Sequence, residues 1–309
     1  MSNYSDSQFN FSDPNTSWHK TFHLVPENSC VLDIGCSTGN FGEQLIKQKK
    51  CIVDGIEIDD GDINEAKKRL RKVYKINIET EDVKLSQKYD VVFLGDVIEH
   101  LAKPSTTLKK LHSLLNKEGV LLFSMPNITH MSVRLMMLEG KIEYGRTGLL
   151  DETHLHFYNR EEIYRVLNSA GFEVIKFDYT INDIPFEKAK ENLKKMGLTP
   201  NDEFKKLLKT TNAAAYQFIG IAKVNKSIKP QKLPKLSPHN IVEDYINDMK
   251  GEYENAIKGL KEDRAKIIKD LNNLIKERDS LEQQLGVINK LVRKLKNKAR
   301  TIKGVINKK

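Results

Sequence analysis

Apolar residues along this chain come in short unbroken runs, separated by segments in which they recur every three or four positions. The runs "CVLDIG" (30–35), "CIVDGIEID" (51–59), "VYKINI" (73–78), "YDVVFLG" (89–95) and "GVLLFSMP" (119–126) predict buried strands. Between them, "FGEQLIKQ" (41–48), "INEAKKRLRK" (63–72) and "TTLKKLHSLL" (106–115) predict helices. Ile63, Ala66 and Leu70 share one helical face, and Leu108, Leu111 and Leu115 share another. A further helix, "REEIYRVLNSAG", ends at Gly171 as a C-cap and leads to two last strands, "FEVIKFDYT" and "AAYQFIGIAKV". Strands alternating with helices predict an α/β fold, a mostly parallel doubly wound sheet covered on both faces. Two insertions interrupt the alternation. One spans 126–159; the other, 181–212, carries the short helical patterns "FEKAKENLKKMG" and "NDEFKKLLK".

The pattern changes after residue 225. "KSIKPQKLPKLSPHN" reads as a linker over 226–240, and a heptad pattern of apolar positions then runs from Val242 to Ile306. Arg264, Arg278 and Ala299 dilute its seam, and one four-residue stutter falls at Tyr253–Ile257. The expected organisation is an N-terminal extension (1–23), a globular domain (24–225), the linker, and a coiled coil (241–309) that makes the chain a homo-oligomer. Of the nine net positive charges, six lie from Ile241 onward, and no acid follows Glu282. The nearly neutral remainder argues against a nucleic-acid groove. The basic end suits an anionic membrane surface or an acidic partner. No apolar run reaches the length of a membrane span, and the polar N-terminus does not read as a signal peptide. Cys30, Cys36 and Cys51 have neither disulfide nor metal spacing and read as reduced. The expected location is cytoplasmic, peripheral at the inner face of the membrane if the basic end meets lipid.

Candidate chemistry gathers at the strand ends. In "VLDIGCSTGNFG", Gly35 and Gly39 let the backbone approach a ligand, and the following helix start offers free N–H groups. Neither G-x-G-x-x-G nor a P-loop is present. Asp33 in this loop suits a cationic ligand better than a pyrophosphate, and Glu57, at the end of the second strand, can take both hydroxyls of a ribose. Trp18, His19 and Phe22 are candidates to cover a pocket.

Six motifs in order, "VLDIGCSTG", "GIEID", "INIE", "YDVVFLGDVIEHL", "LLNKEGVLLFSMPN" and "GLLDETHLHFYNREEIYRVLNSAGF", resemble those of class I S-adenosylmethionine (SAM)-dependent methyltransferases over Val25 to Val224. The resemblance implies a seven-stranded sheet with an antiparallel last strand. It implies SAM contacts at Asp33, Gly35, Gly39, Glu57, Asn77 and Asp96, with Cys36, Ile58 and Ile78 beside them. Asn77 stands where the family usually has Asp, and Ser37 replaces the middle glycine of the loop. The narrower resemblance, in "GDVIEHLAKPSTTLKKL" and in the insertion after strand five, is to bacterial methyltransferases found with glycosyltransferases of surface-polysaccharide assembly. It implies a sugar or glycan acceptor and glycosyltransferases as partners.

In "GDVIEHLAKP", Asp96, Glu99 and His100 have i, i+3, i+4 spacing and would share one side of a helical turn. With His154 or His156 they form a candidate divalent-metal site, for an ion such as magnesium. An extended stretch would aim His154 and His156 at one side, where either could act as base toward an acceptor hydroxyl, with His100 nearby. Asn127, His130, Tyr144 and Arg146 are candidates to line the acceptor pocket. Two other readings stand beside the glycan: a small phenol, quinone precursor or RNA end as acceptor, or a non-catalytic scaffold built on the coiled coil.

Overall fold

The computed structural model describes residues 13–225 and 257–278, together with Lys290, Arg293 and Lys294. The chain divides into two units, Met1–Asp244 and Tyr245–Lys309. In the first, strands β1 (Cys30–Ile34), β2 (Ile52–Glu57), β3 (Lys72–Lys75), β4 (Tyr89–Gly95), β5 (Leu115–Pro126), β6 (Phe172–Ile181) and β7 (Ala215–Val224) form one sheet. Their order is β3-β2-β1-β4-β5-β7-β6, with β7 antiparallel to both its neighbours and the other pairings parallel. The expected seven-stranded sheet with one reversed strand is therefore present.

Period-two alternation sorts the strand residues onto two faces. Leu32, Val92, Leu121 and Phe123 pack with Leu108, Leu111, Ile163 and Leu167. Those four come from helices α4 (Pro104–Leu111) and α6 (Arg160–Ser169). Their sequence neighbours Val31, Val91 and Leu122 point the other way, to Phe22, Phe41, Leu45 and Ala66. These belong to α1 (Ser17–Leu24), α2 (Asn40–Lys49) and α3 (Asp60–Ala66).

The N-terminal extension expected over 1–23 is, in its described part, built into this domain. Phe22 is buried in the core under α1, Lys20 pairs with Asp178 at 2.9 Å, and Asn15 exchanges two hydrogen bonds with the backbone of Ile181. Helix α3 ends at Ala66, shorter than the expected 63–72, and Leu70 stays buried from a turn beyond it. The insertions form a satellite. Helices α5 (Met131–Leu138), α7 (Phe186–Lys195), α8 (Asp202–Leu208) and α9 (Thr211–Ala214) share a small core of Met131, Leu135, Ala189, Leu193, Leu208 and Ala213.

In the second unit, residues 257–278 are one helix. The linker 226–240, the remainder of the heptad pattern and most of the basic end lie outside the described residues. Among the described residues no helix is long and apolar enough to cross a membrane.

Candidate functional site

Between β1 and β4 the chain reverses its direction of travel across the sheet, which opens a crevice at the carboxyl ends of the strands. A cavity of about 430 Å³ lies there, within the range of small-molecule sites. Of the residues expected to contact a cofactor, Asp33, Gly35, Cys36, Glu57, Ile58, Asn77, Ile78 and Asp96 line it, and Gly39 does not. Gly39 instead caps α2 at φ +79, where a Cβ would sit 3.1 Å from the Ala66 backbone. Its role is the turn and the close packing of α2 on α3. Gly35, at φ +71, faces the cavity with Val97 so near that a Cβ would lie 2.8 Å from its methyl. Aromatic walls come from Trp18, Phe41 and Phe93, stacked in sequence at 5.5 and 4.6 Å between ring centroids. Trp18 was an expected cover; Phe41 and Phe93 gave no signal in sequence beyond that of core residues.

The polar lining is held in place by the backbone. Glu57 accepts from Ser37 N–H at 2.9 Å through one oxygen, and from Ile58 and Asp59 N–H at 2.6 and 3.1 Å through the other. That fixes the carboxylate at the end of β2. Ser37, at φ +46, holds the left-handed turn that glycine would adopt without strain, and its hydroxyl bonds Asp62 at 3.0 Å. Asp33 is buried, and its pKa is pushed up to about 8, first by desolvation and then by repulsion from Glu57. A cation in the cavity would relieve both effects. Asn77 turns its Oδ1 back onto Glu79 and Thr80 N–H, at 3.0 and 3.4 Å. The acceptor that would take an adenine amine is thus engaged in the turn, and Nδ2, a donor, remains.

Asp96 departs from the expected arrangement. It sits at φ +53, outside the helical turn Ile98–His100, and its oxygens accept from Ser124 Oγ at 2.9 Å and Gln217 Nε2 at 2.7 Å. The left-handed residue breaks the helical spacing, so Asp96 lines the cavity without joining Glu99 and His100. Burial raises its pKa, and these two hydrogen bonds act against the rise.

Glu99, His100 and His154 do come together, each offering a ligand atom within 4.8 Å of the others. His156 is not among them. The stretch 151–158 opens with a turn at 152–153 and pairs into no strand of the sheet: Asp151 Oδ1 accepts from Thr153 N–H and Oγ1, and both Leu155 and His156 N–H donate to Glu99 O. The two histidines meet different neighbours. The His154 ring meets His100 with centroids 4.8 Å apart, whereas that of His156 lies 6.0 Å from Tyr158.

Glu99 is fully buried, and neither of its oxygens has a hydrogen-bond partner among the described residues; the same holds for His154 Nδ1. Desolvation raises the Glu99 pKa well above the carboxylate range and lowers that of His154. The His100 Nδ1–H donates to the Thr153 carbonyl at 3.1 Å, so Nε2 is the ring nitrogen left for a ligand. A buried carboxylate without a partner is costly as an anion. One orphaned carboxylate and two imidazoles make a donor set that could hold a divalent cation, with Glu99, His100 and His154 as its ligands. His100 also lines the cavity, so the cluster and the cavity adjoin.

Two further candidates are structural ties. Asn127 donates to the carbonyls of Asn212 and Ala215, and His130 caps α5 while bonding the Asn182 carbonyl. Tyr144 and Arg146 lie on an exposed loop and do not line the cavity.

A family model described as a methyltransferase domain matches residues 14–176. The chain is 29% identical over 152 residues to a ubiquinone biosynthesis O-methyltransferase of Coxiella burnetii, covering 47% of this chain and 64% of that protein. It is 31% identical over 97 residues to a malonyl-[acyl-carrier protein] O-methyltransferase of Priestia megaterium, covering 30% and 35%. Among solved structures, a SAM-dependent methyltransferase from Archaeoglobus fulgidus superposes with a TM-score of 0.48 at 20% identity, covering 67% of this chain and 94% of that one. The chain thus spans 64% of the length of the ubiquinone-pathway relative.

Proposed function

The chain belongs to the methyltransferase-domain family, and from that premise we propose that it is a SAM-dependent methyltransferase that methylates a hydroxyl group. SAM supplies a methyl group on a cationic sulfur. In this reading Glu57, fixed by three backbone N–H groups, accepts from ribose hydroxyls, and buried Asp33 faces the positive charge. Trp18, Phe41 and Phe93 give the cavity apolar walls.

The observation that carries the acceptor chemistry is that His100 both lines the cavity and belongs to the Glu99–His100–His154 cluster. A hydroxyl must lose its proton as it attacks, and His154, beside His100 and with its pKa lowered by burial, is our candidate to take it. In the alternative, a divalent cation such as magnesium held by Glu99, His100 and His154 would occupy the His154 lone pair and lower the pKa of the hydroxyl itself, whose proton would then pass to water. The finer reading is a sugar hydroxyl of a glycan or surface polysaccharide, supported by the sequence resemblance of the insertion after β5. A phenolic quinone precursor is the second reading, favoured by the relative that acts in ubiquinone biosynthesis.

Calorimetry with SAM, before and after chelation, followed by methyl transfer to nucleotide sugars, glycans and catechols, tests the proposal. Binding with a dissociation constant on the order of micromolar and turnover on a sugar are expected. Turnover on catechols alone would replace the acceptor. An absence of SAM binding would move the function to the helical second unit.

A further inference from the structure

The helix 257–278 has no buried residue among those described. Ile257, Leu260, Ile267, Leu271 and Leu274 are 48%, 69%, 67%, 55% and 62% exposed, and they step by three and four along one stripe that Arg264 and Arg278 complete. A stripe this long is a surface that a single copy rarely leaves in water. In heptad terms Ile257, Arg264, Leu271 and Arg278 occupy a, and Leu260, Ile267 and Leu274 occupy d. The residues just before the last three a positions are Asp263, Asp270 and Glu277, so the g positions form an acidic row. The e positions that such a row pairs with in many coiled coils hold Lys261, Ile268 and Ile275, and offer it one cation. On the same helix Lys266 is within reach of Asp263 and Asp270; across a pair, the seam arginines are the cations that face the row.

We propose that this helix pairs in parallel and in register with a second copy of the chain, each Arg264 and Arg278 meeting the partner's Asp263 and the partner's Glu277. In a parallel pair an a side chain lies beside the g residue that precedes the opposite a, so every seam arginine meets an acid of the other strand. An antiparallel pair sets the g row against itself and places acid beside acid. Two strands suit arginine at a, because its apolar stem can lie along the seam while the guanidinium reaches the edge. This pairing is independent of the methyltransferase reading.

The full-length chain is tested by sedimentation equilibrium at micromolar concentration, with twice the 35.5 kDa chain mass expected. A chain carrying Arg264→Glu and Arg278→Glu, and another carrying Asp263→Lys and Glu277→Lys, should each self-associate at least tenfold more weakly. An equimolar mixture of the two should restore dimers, which rules out misfolding as the cause of the loss. Orientation is read from spin labels at Lys258→Cys, with Cys30 replaced by Ser. Parallel strands hold the two labels within the width of a helix pair, whereas antiparallel strands separate them by roughly 30 Å. A monomeric or trimeric mass, a mixture that stays monomeric, or widely separated labels would overturn the proposal.

Discussion

At the scale of single residues, the site works by denying charge its usual solvation. Asp33 is the clearest case, with burial and Glu57 raising its pKa to about 8. In the folded chain it therefore keeps a proton that the unfolded chain gives up near pH 4, so this group's contribution to stability falls as pH rises from about 4 to 8. A cationic cofactor reverses the preference. Below pH 8 its binding must expel the Asp33 proton, so affinity should rise by up to about tenfold per pH unit and level off above 8. Calorimetry in two buffers of different ionisation enthalpy should show proton release at pH 6.5 and little at pH 9. Asp33→Asn should abolish the difference. His154→Ala is expected to lower kcat by about 10²-fold or more with the SAM dissociation constant unchanged, while His156→Ala leaves both near wild type. Equal losses in the two variants would return His156 to the site. Asp33 and Glu57 were legible in sequence because a carboxylate ending a buried strand has no packing use there. Asp96 was misread, since spacing implies a helical turn only where the backbone is helical, and φ +53 is not written in residue spacing.

Among the elements, the sheet order rests on a polar knot as well as on apolar faces. Asp54 of β2 is buried and accepts a two-pronged contact from Arg71, at 2.8 and 2.6 Å, and the hydroxyl of Tyr89 in β4 at 2.8 Å. The knot ties β2 to β4 across β1. Removing Arg71 strands a buried carboxylate. Because the arginine is 38% exposed, the loss should fall below that of a fully buried pair, at about 2–3 kcal/mol. In a domain of this size Arg71→Ala should lower Tm by about 5–10 °C in a calorimetric scan. The elements of the sheet were legible because their runs are short, apolar and evenly interrupted. The insertion after β5 was not. Its helix α5 starts from a His130 cap, and residues 151–158 turn through Asp151, a choice settled by hydrogen bonds to Glu99 and Thr153 that no periodicity encodes.

The whole molecule joins a sheet domain whose pattern is non-local to a helix whose pattern is local. The resemblance of six motifs sufficed for the domain, because the spacing of strand ends fixes where a crevice can open. The heptads led to the expectation of a coiled coil over 241–309; of that range 257–278 is helical, and the pairing itself is a proposal. The position of β7 has a consequence for synthesis. The last strand of the sheet is its second from the edge, inserted between β5 and β6. Until Ala215–Val224 leaves the ribosome, β5 has an open apolar border, and β6 has no neighbour in the sheet. The nascent domain must therefore wait, with a sticky border, for ten residues that come after two insertions, a wait that invites association with other unfinished chains. A chain stopped after Ala214 should collect in the insoluble fraction on expression, whereas one stopped after Asn225 should stay in solution. Equal solubility of the two would mean that the first five strands close without their latecomer.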